Sequence, residues 1–507
     1  MSTNHTESAG SKTKLYWAIG IVCAILVGAL LIWNSGILSG NNANKTAATV
    51  GEEEFTVAEV SYYYKSISNQ FINQAEQSKM YGMDMGYDTA LSPSEQFFNE
   101  EEGVTYADYV MASALQELQR ITILCKEAEA AGYTLSEDGE AAIDQNMNYL
   151  TMYSVQSGYS EEAYLKLMYG EMMTMDLFEK VLADGILADE YAQKVAYDFT
   201  YGEDELNAYY GENADDLDSY DYRYCTIAPE VEEQTDEEGN PIEPTEEETA
   251  AAMEAASQEA DAMVAEIRAG ASFNEAAAAH VSESAAASFE DEEYNHMTQV
   301  AGSSISLPGD AGAWLKEAGR TVGEVTVIEV EGSGYTVVQF LGRTKGEDIY
   351  QTMSYQTMKI PAEAATNEDG TPAAPTEEAL TAAEDQAKAL LADWESGEVT
   401  DFGALSTETI SPELVEKADR NTMDAELSAW LFAPDRQVGD VTVLPYTDST
   451  GAAAGYQVVF VEAFGDIRWK YAAAEALRSE DYSAWYTEVQ ANYPAELTED
   501  GKAIPTL

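Results

Sequence analysis

A strand-turn-strand unit that occurs twice constrains this chain more than any other feature. The first copy runs Val322-Gly323-Glu324-Val325-Thr326-Val327 and, after a turn, Gly334-Tyr335-Thr336-Val337-Val338. The second reads Val438-Gly439-Asp440-Val441-Thr442-Val443 and then Gly455-Tyr456-Gln457-Val458-Val459. Each follows an aromatic helix end, Trp314-Leu315 or Trp430-Leu431. Apolar, β-branched residues punctuated by glycine read as paired strands, and their recurrence in the same order implies a duplicated domain.

The match extends upstream. Tyr222 to Ile227 and Tyr355 to Ile360 both read as strands, and each precedes an acidic loop with the same punctuation. That punctuation is Gly239, Pro241, Pro244-Thr245-Glu246-Glu247 in one copy and Gly370, Pro372, Pro375-Thr376-Glu377-Glu378 in the other. Pro-Thr-Glu-Glu starts a helix because threonine caps the free amides and the acids favour the positive end of the helix dipole. Alanine-rich helices are therefore predicted from about Glu246 to Ala269 and from about Glu377 to Ser396. After Gly270 or Gly397, a second short helix is marked by Phe273 or Phe402. One copy is expected to run strand, helix, helix, short helix, strand, strand. Helices packed on a small antiparallel sheet place the chain in the α+β class, with copies at 219–345 and 346–466.

The 507 residues leave room for more than these copies, since a domain takes ~100–200 residues. From Leu15 to Trp33 the chain is apolar and uncharged, with Lys12 and Lys14 before it. About 20 such residues span a bilayer as a helix, and flanking lysines favour a cytoplasmic N-terminus. The expectation is a cytoplasmic tail at 1–14, a transmembrane anchor at 15–38 and a linker at 39–47. The protein would cross the cell membrane once and carry its main body on the extracytoplasmic side. A cleaved signal peptide is the competing reading, but its apolar stretch would be ~7–15 residues ending at a small-residue site, whereas this one closes on Leu31-Ile32-Trp33.

Residues 48–218 read as a helical domain. Ala48 to Phe55 suggests a short strand and turn, and Thr56-Val57-Ala58-Glu59 is a capping box that opens a helix. Further helices are expected from Tyr106 to Ala131, from near Ser136, after Ser160 and around Glu203 to Tyr210. Tyr81 to Gly103 reads as a long loop and a candidate for mobility. The methionines of this region, Met168 and Met172 among them, suit either a promiscuous apolar groove or an ordinary core. Ile467 to Tyr493 is a helix with no sheet of its own to cover, so 467–507 is expected to return to the helical domain.

Lys+Arg 25 against Asp+Glu 93 gives a net charge of −68. That balance argues against nucleic acid, which needs clustered cations, and against docking on anionic lipid. It suits an exposed soluble body, or one that attracts basic or unfolded chains. Cys23, Cys125 and Cys225 are too scattered for a disulfide framework, and His5, His280 and His296 are not spaced as ligands, so no metal or cofactor is expected. There is no Gly-x-Ser-x-Gly elbow and no phosphate loop. Carboxylate pairs arise by chance among so many acids, and no small-molecule substrate is expected.

In this order of elements the chain resembles the extracytoplasmic foldases of the PrsA/SurA type. That family places a helical chaperone domain, split between N- and C-terminal segments, around one or two parvulin-like prolyl isomerase domains. The resemblance is carried by Val50-Gly51 with the Thr56 cap, Glu205 to Tyr210 leading into a strand, Phe273, and Gly323-Glu324-Val325 with Gly334-Tyr335. It implies a membrane-anchored extracellular chaperone whose partners are unfolded or partly folded secreted polypeptides. Active parvulins keep a pair of histidines on the floor of the site. The matching positions here are Tyr224 and Thr336 in the first copy and Thr357 and Gln457 in the second, and none is histidine. Prolyl isomerisation needs no nucleophile, only a pocket that favours the twisted amide over a barrier of ~18–20 kcal/mol. Weak or inactive modules therefore stand beside the alternative of an active peptidyl-prolyl isomerase. A third reading is a surface scaffold with one fixed protein partner. Candidate client-contacting residues are Tyr224, Trp314, Thr336, Trp430, Gln457, Met168 and Met172.

Overall fold

The computed structural model describes residues 43–506 apart from 81, 82, 84, 232, 233, 236–240, 243, 293, 347, 348, 367–371, 408, 421, 422, 449 and 450. The tail and anchor expected at 1–38 lie outside the described residues, and no helix among those described is long and apolar enough to cross a membrane. The chain divides into two compact units. One is Tyr201–Glu475, and the other joins the described residues through Thr200 to those from Ala476 onward.

The chain opens on strands β1 (Thr46–Val50) and β2 (Glu53–Thr56). The expected linker is shorter than its composition suggested, because Thr46 and Ala47 already belong to the sheet and Ala47 is wholly buried. Helix α1 (Val57–Met80) starts where the capping box places it. The Thr56 hydroxyl accepts the Glu59 amide at 3.3 Å and the Glu59 carboxylate accepts the Thr56 amide at 2.8 Å. The segment read as a long loop carries a strand, β3 (Phe97–Asn99), that pairs with β4 (Val104–Thr105) just beyond it. Helix α2 (Tyr106–Ala131) follows, capped by Thr105 and ended by Gly132 at φ +68°, a left-handed conformation that glycine adopts without steric cost. Then come α3 (Glu137–Gln156), α4 (Glu161–Tyr169) and α5 (Met175–Asp198). The last of these was not anticipated, although Phe178, Val181, Leu182, Ile186 and Tyr191 recur on its buried side. The core gathers Val60, Tyr63, Leu118, Leu124, Ala188 and Tyr191.

The unit Tyr201–Glu475 begins with α6 (Glu203–Leu217). The first copy then runs β5 (Ser219–Ile227), α7 (Glu246–Ala269), α8 (Phe273–His280), β6 (His296–Ala301), α9 (Ala311–Lys316), β7 (Val325–Val330) and β8 (Gly334–Thr344). Its antiparallel sheet has the order β6-β5-β8-β7. The second copy runs β9 (Gln351–Pro361), α10 (Glu377–Glu395), β10 (Glu413–Ala418), α11 (Ala425–Leu431), β11 (Val441–Thr447) and β12 (Ala453–Ile467). Its sheet order, β10-β9-β12-β11, repeats the first. The class is α+β. Two expectations need correction. Each sheet has a fourth, edge strand, β6 or β10, where three strands per copy were expected. Phe402 sits in a single 3-10 turn, Phe402–Leu405, rather than a second short α-helix.

The Gly-Tyr pair that marks both copies has a steric cause. A Cβ on Gly334 or Gly455 would lie 2.3 Å from the carbonyl oxygen of Ile227 or Ile360 on the neighbouring strand. Where the copies join, the buried Asp218 accepts from the Tyr210 hydroxyl at 2.6 Å, the Gly346 amide at 3.0 Å and Arg343 Nε at 2.7 Å. The chain then continues through α12 (Arg468–Gln490) to β13 (Ala495–Leu497), which pairs antiparallel with β1, Ala495 opposite Val50. Gln119 Nε2 donates to the Tyr493 carbonyl at 2.7 Å, and Ile504 enters the helical core.

Candidate functional site

Side chains alternate across a strand, so burying one face of each sheet fixes what the other carries. Cys225, Ile227, Val325 and Val337 pack against α7 and α8 through Ala260, Met263 and Phe273. Met358, Ile360 and Val458 pack against α10 through Ala387 and Leu390. The opposite face of the first sheet then holds Tyr224, Thr336 and Val338, with Leu315 and Trp314 laid over it. The equivalent face of the second holds Thr357, Gln457 and Val459, with Leu431 and Trp430. The residues nominated within each copy thus share one face of that copy's sheet.

Their surroundings decide what they can do. Thr336 is wholly buried, and its hydroxyl has no hydrogen-bond partner among the described residues. Thr357 and Gln457 are both buried, and Thr357 Oγ1 donates to Gln457 Oε1 at 2.9 Å. Tyr224 is half-buried, and burial, with a smaller contribution from Tyr294, pushes its hydroxyl above the usual tyrosine range. It stays protonated at neutral pH and can donate a hydrogen bond. Thr336, Thr357 and Gln457 bring neither a carboxylate nor an imidazole to these faces, the groups that most often transfer protons.

Trp314 and Trp430 are half-buried, and one ring face of each is already covered. The Arg320 guanidinium lies 4.0 Å from the Trp314 ring centroid, and Arg436 lies 4.0 Å from that of Trp430. Arg320 Nε donates to the Trp314 carbonyl at 2.9 Å and Arg436 Nε to the Trp430 carbonyl at 2.9 Å. Each arginine also pairs with a carboxylate, Glu324 at 2.5 Å or Asp440 at 3.0 Å. Those carboxyls are held below the usual range, chiefly by the backbone amides of Thr321 and Gln437. The sequence reading missed both arginines. The signal was present as an identical spacing, Trp314 to Arg320 to Glu324 and Trp430 to Arg436 to Asp440.

Met168 is buried in the α4–α5 core, and Met172 is half-buried against the main helical core. Both pack as ordinary core residues. The helical unit does contain a cavity of about 210 Å³ floored by Phe55, Tyr63, Leu118, Ile121 and Val181. Its rim carries Lys126 paired with Glu53 at 2.7 Å and Lys180 with Glu59 and Asp184, both at 3.2 Å. Cys125 lies in its wall, its thiol donating to the Asp184 carbonyl at 3.3 Å, and burial pushes that thiol up to about 12. A thiol so protonated is a poor nucleophile. Among the described residues no group of three His, Cys, Asp or Glu side chains could hold a metal ion.

No family model matches the chain, and no curated protein matches it. Among solved structures it is similar to one from work on the virulence factor PEB4 and the periplasmic protein Cj1289, two SurA-like chaperones of Campylobacter jejuni. The identity is 8% over 90% of this chain and 100% of that one, with a TM-score of 0.22. It is also similar to PrsA from Bacillus subtilis, at 17% identity over 47% of this chain and 74% of that one, with a TM-score of 0.16.

Proposed function

We propose that this chain is a membrane-anchored extracytoplasmic chaperone that holds unfolded secreted polypeptides, and that its two sheet modules are parvulin-like domains without efficient isomerisation. One observation carries the reading: a helical unit built from both ends of the chain brackets two copies of an α+β module. That is the arrangement the sequence resemblance implies. The closed sheet faces support loss of turnover, since Thr336 is sealed in the core and Gln457 is spent on Thr357. The test uses the chain from residue 43 onward. It should suppress aggregation of a chemically unfolded protein while leaving a proline-limited refolding phase of ~10–100 s unchanged. Equal aggregation with and without the chain would sink the chaperone reading. A faster proline phase would instead establish an active isomerase.

A further inference from the structure

Exposed large apolar side chains concentrate in one stretch of the helical unit, between α1 and the first turn of α2. An inner aromatic layer fixes that stretch. Tyr87 meets Phe71 edge-on at 5.1 Å and Tyr106 at 4.9 Å, and the Tyr106 hydroxyl donates to the Met85 carbonyl at 3.3 Å. Gln96 ties the loop to itself, accepting the Asp88 amide at 2.7 Å and donating to the Asp88 carbonyl at 2.9 Å. On this base stands an outer layer that none of the described residues covers. Phe97 is 54% exposed and Phe98 47% exposed. They are consecutive residues of β3, at the irregularity in its pairing with β4, and each keeps about half of its surface open. Phe98 stacks on Tyr109 with ring centroids 4.1 Å apart and planes at 15°, and Met85 and Leu91 extend the surface.

Charge selects the occupant. Glu100, Glu101 and Glu102 follow directly on β3 and are exposed, and no lysine or arginine occurs anywhere from 80 to 119. A bare aromatic surface rimmed by carboxylates marks an interaction site. It would repel a second copy of itself and an anionic lipid surface alike. We propose that this aromatic hairpin, rather than the sheet faces of the modules, is where clients dock. It takes extended polypeptide segments in which aromatic or aliphatic side chains alternate with lysine or arginine. Apolar side chains lie on Phe97, Phe98 and Tyr109, and the cations meet the glutamates. This rests on the chaperone reading above and locates its binding surface and selectivity.

The experiment measures anisotropy of two labelled peptides, one alternating Leu/Phe with Lys/Arg and the other with Glu in place of the cations, on the full-length chain in nonionic detergent. Wild type should prefer the basic peptide at least tenfold. The variant Phe97→Ser/Phe98→Ser should lose at least tenfold in affinity for it, with unchanged circular dichroism because both rings are at the surface. The variant Glu100→Lys/Glu101→Lys/Glu102→Lys should reverse the preference. If the Phe97→Ser/Phe98→Ser variant binds the basic peptide as wild type does, the docking site is overturned. In that case the chaperone reading stands as long as aggregation is still suppressed. Wild type that neither binds a peptide nor suppresses aggregation overturns both. Self-association in sedimentation that the Phe97→Ser/Phe98→Ser variant abolishes, or vesicle binding that it abolishes without any peptide binding, also overturns the proposal.

Discussion

On the closed face of the first copy lies the Thr336 hydroxyl with no partner among the described residues, whereas on that of the second Thr357 donates to Gln457 at 2.9 Å. Much of the frame around these groups is shared. Leu315 and Leu431 are equally buried, the arginines stand the same 4.0 Å over their tryptophans, and a glycine relieves the same 2.3 Å approach before each tyrosine. The polar centre differs while its frame does not. Steric packing has held the frame in both copies, and no shared chemistry has held the centre. A face that performed one reaction in both copies would need the same groups at the same positions.

The comparison can be broken most forcefully at the frame. Leu315→Ala and Leu431→Ala should each cost about 2–5 kcal/mol, as truncation of a fully buried leucine does. Hydrogen exchange, read by mass spectrometry on β8 and β12, should show the loss mainly in the copy mutated. A large cost in one copy and none in the other would end the claim of a common frame. At the centre the effects are smaller and opposite in sign. Thr357→Val leaves the buried Gln457 oxygen without its donor and should cost about 1–3 kcal/mol. Thr336→Val removes a hydroxyl that bonds to none of the described residues and should be neutral or stabilise by up to ~1 kcal/mol. A loss of protection in β8 for Thr336→Val would mean that the first copy hides a polar partner after all.

The smallest expected effect is one of pH. Glu324 and Asp440 have folded pKa values below their unfolded ones, so their contribution is present above the ordinary carboxylate range and is lost as pH falls through the depressed folded values. Acid should loosen the turns at Thr321 and Gln437 in both copies. Glu324→Gln should remove that acid dependence from the first copy alone, as seen in exchange of the surrounding amides.

What the sequence disclosed was local and capped. Glu246–Ala269 and Tyr106–Ala131 were legible to the residue because Thr245 and Gly270, or Thr105 and Gly132, mark their ends chemically. The edge strands were not, because each is bent at a residue with positive φ, Gln299 at 50° or Lys417 at 52°, which breaks the alternation a strand normally displays. The same device serves twice: the Gln299 amide donates to Asp221 at 2.5 Å and the Lys417 amide to Ser354 Oγ at 3.1 Å. Helix α5 was missed between methionine-rich segments that carry no strong start signal beyond Thr174. At the site, sequence put Tyr224, Thr336, Thr357 and Gln457 on the right strands. Their burial depends on Leu315 and Leu431 folding back over them, a long-range fact that no local pattern encodes. Phe97 and Phe98 were passed over as loop residues, since exposure of an aromatic is visible only when the rest of the core has been counted.

The pairing of β13 with β1 also sets an order of events while the chain is being made. Residues 46–50 are synthesised long before their partner at 495–497, and both copies of the module come between. At ~5–20 residues per second, the open edge of β1 waits on the order of tens of seconds for its closing strand. Until then the helical unit has a bare strand edge, the kind of feature that invites pairing with another chain. A chain interrupted anywhere within the modules would keep that edge open, whereas one extended through Leu497 closes it.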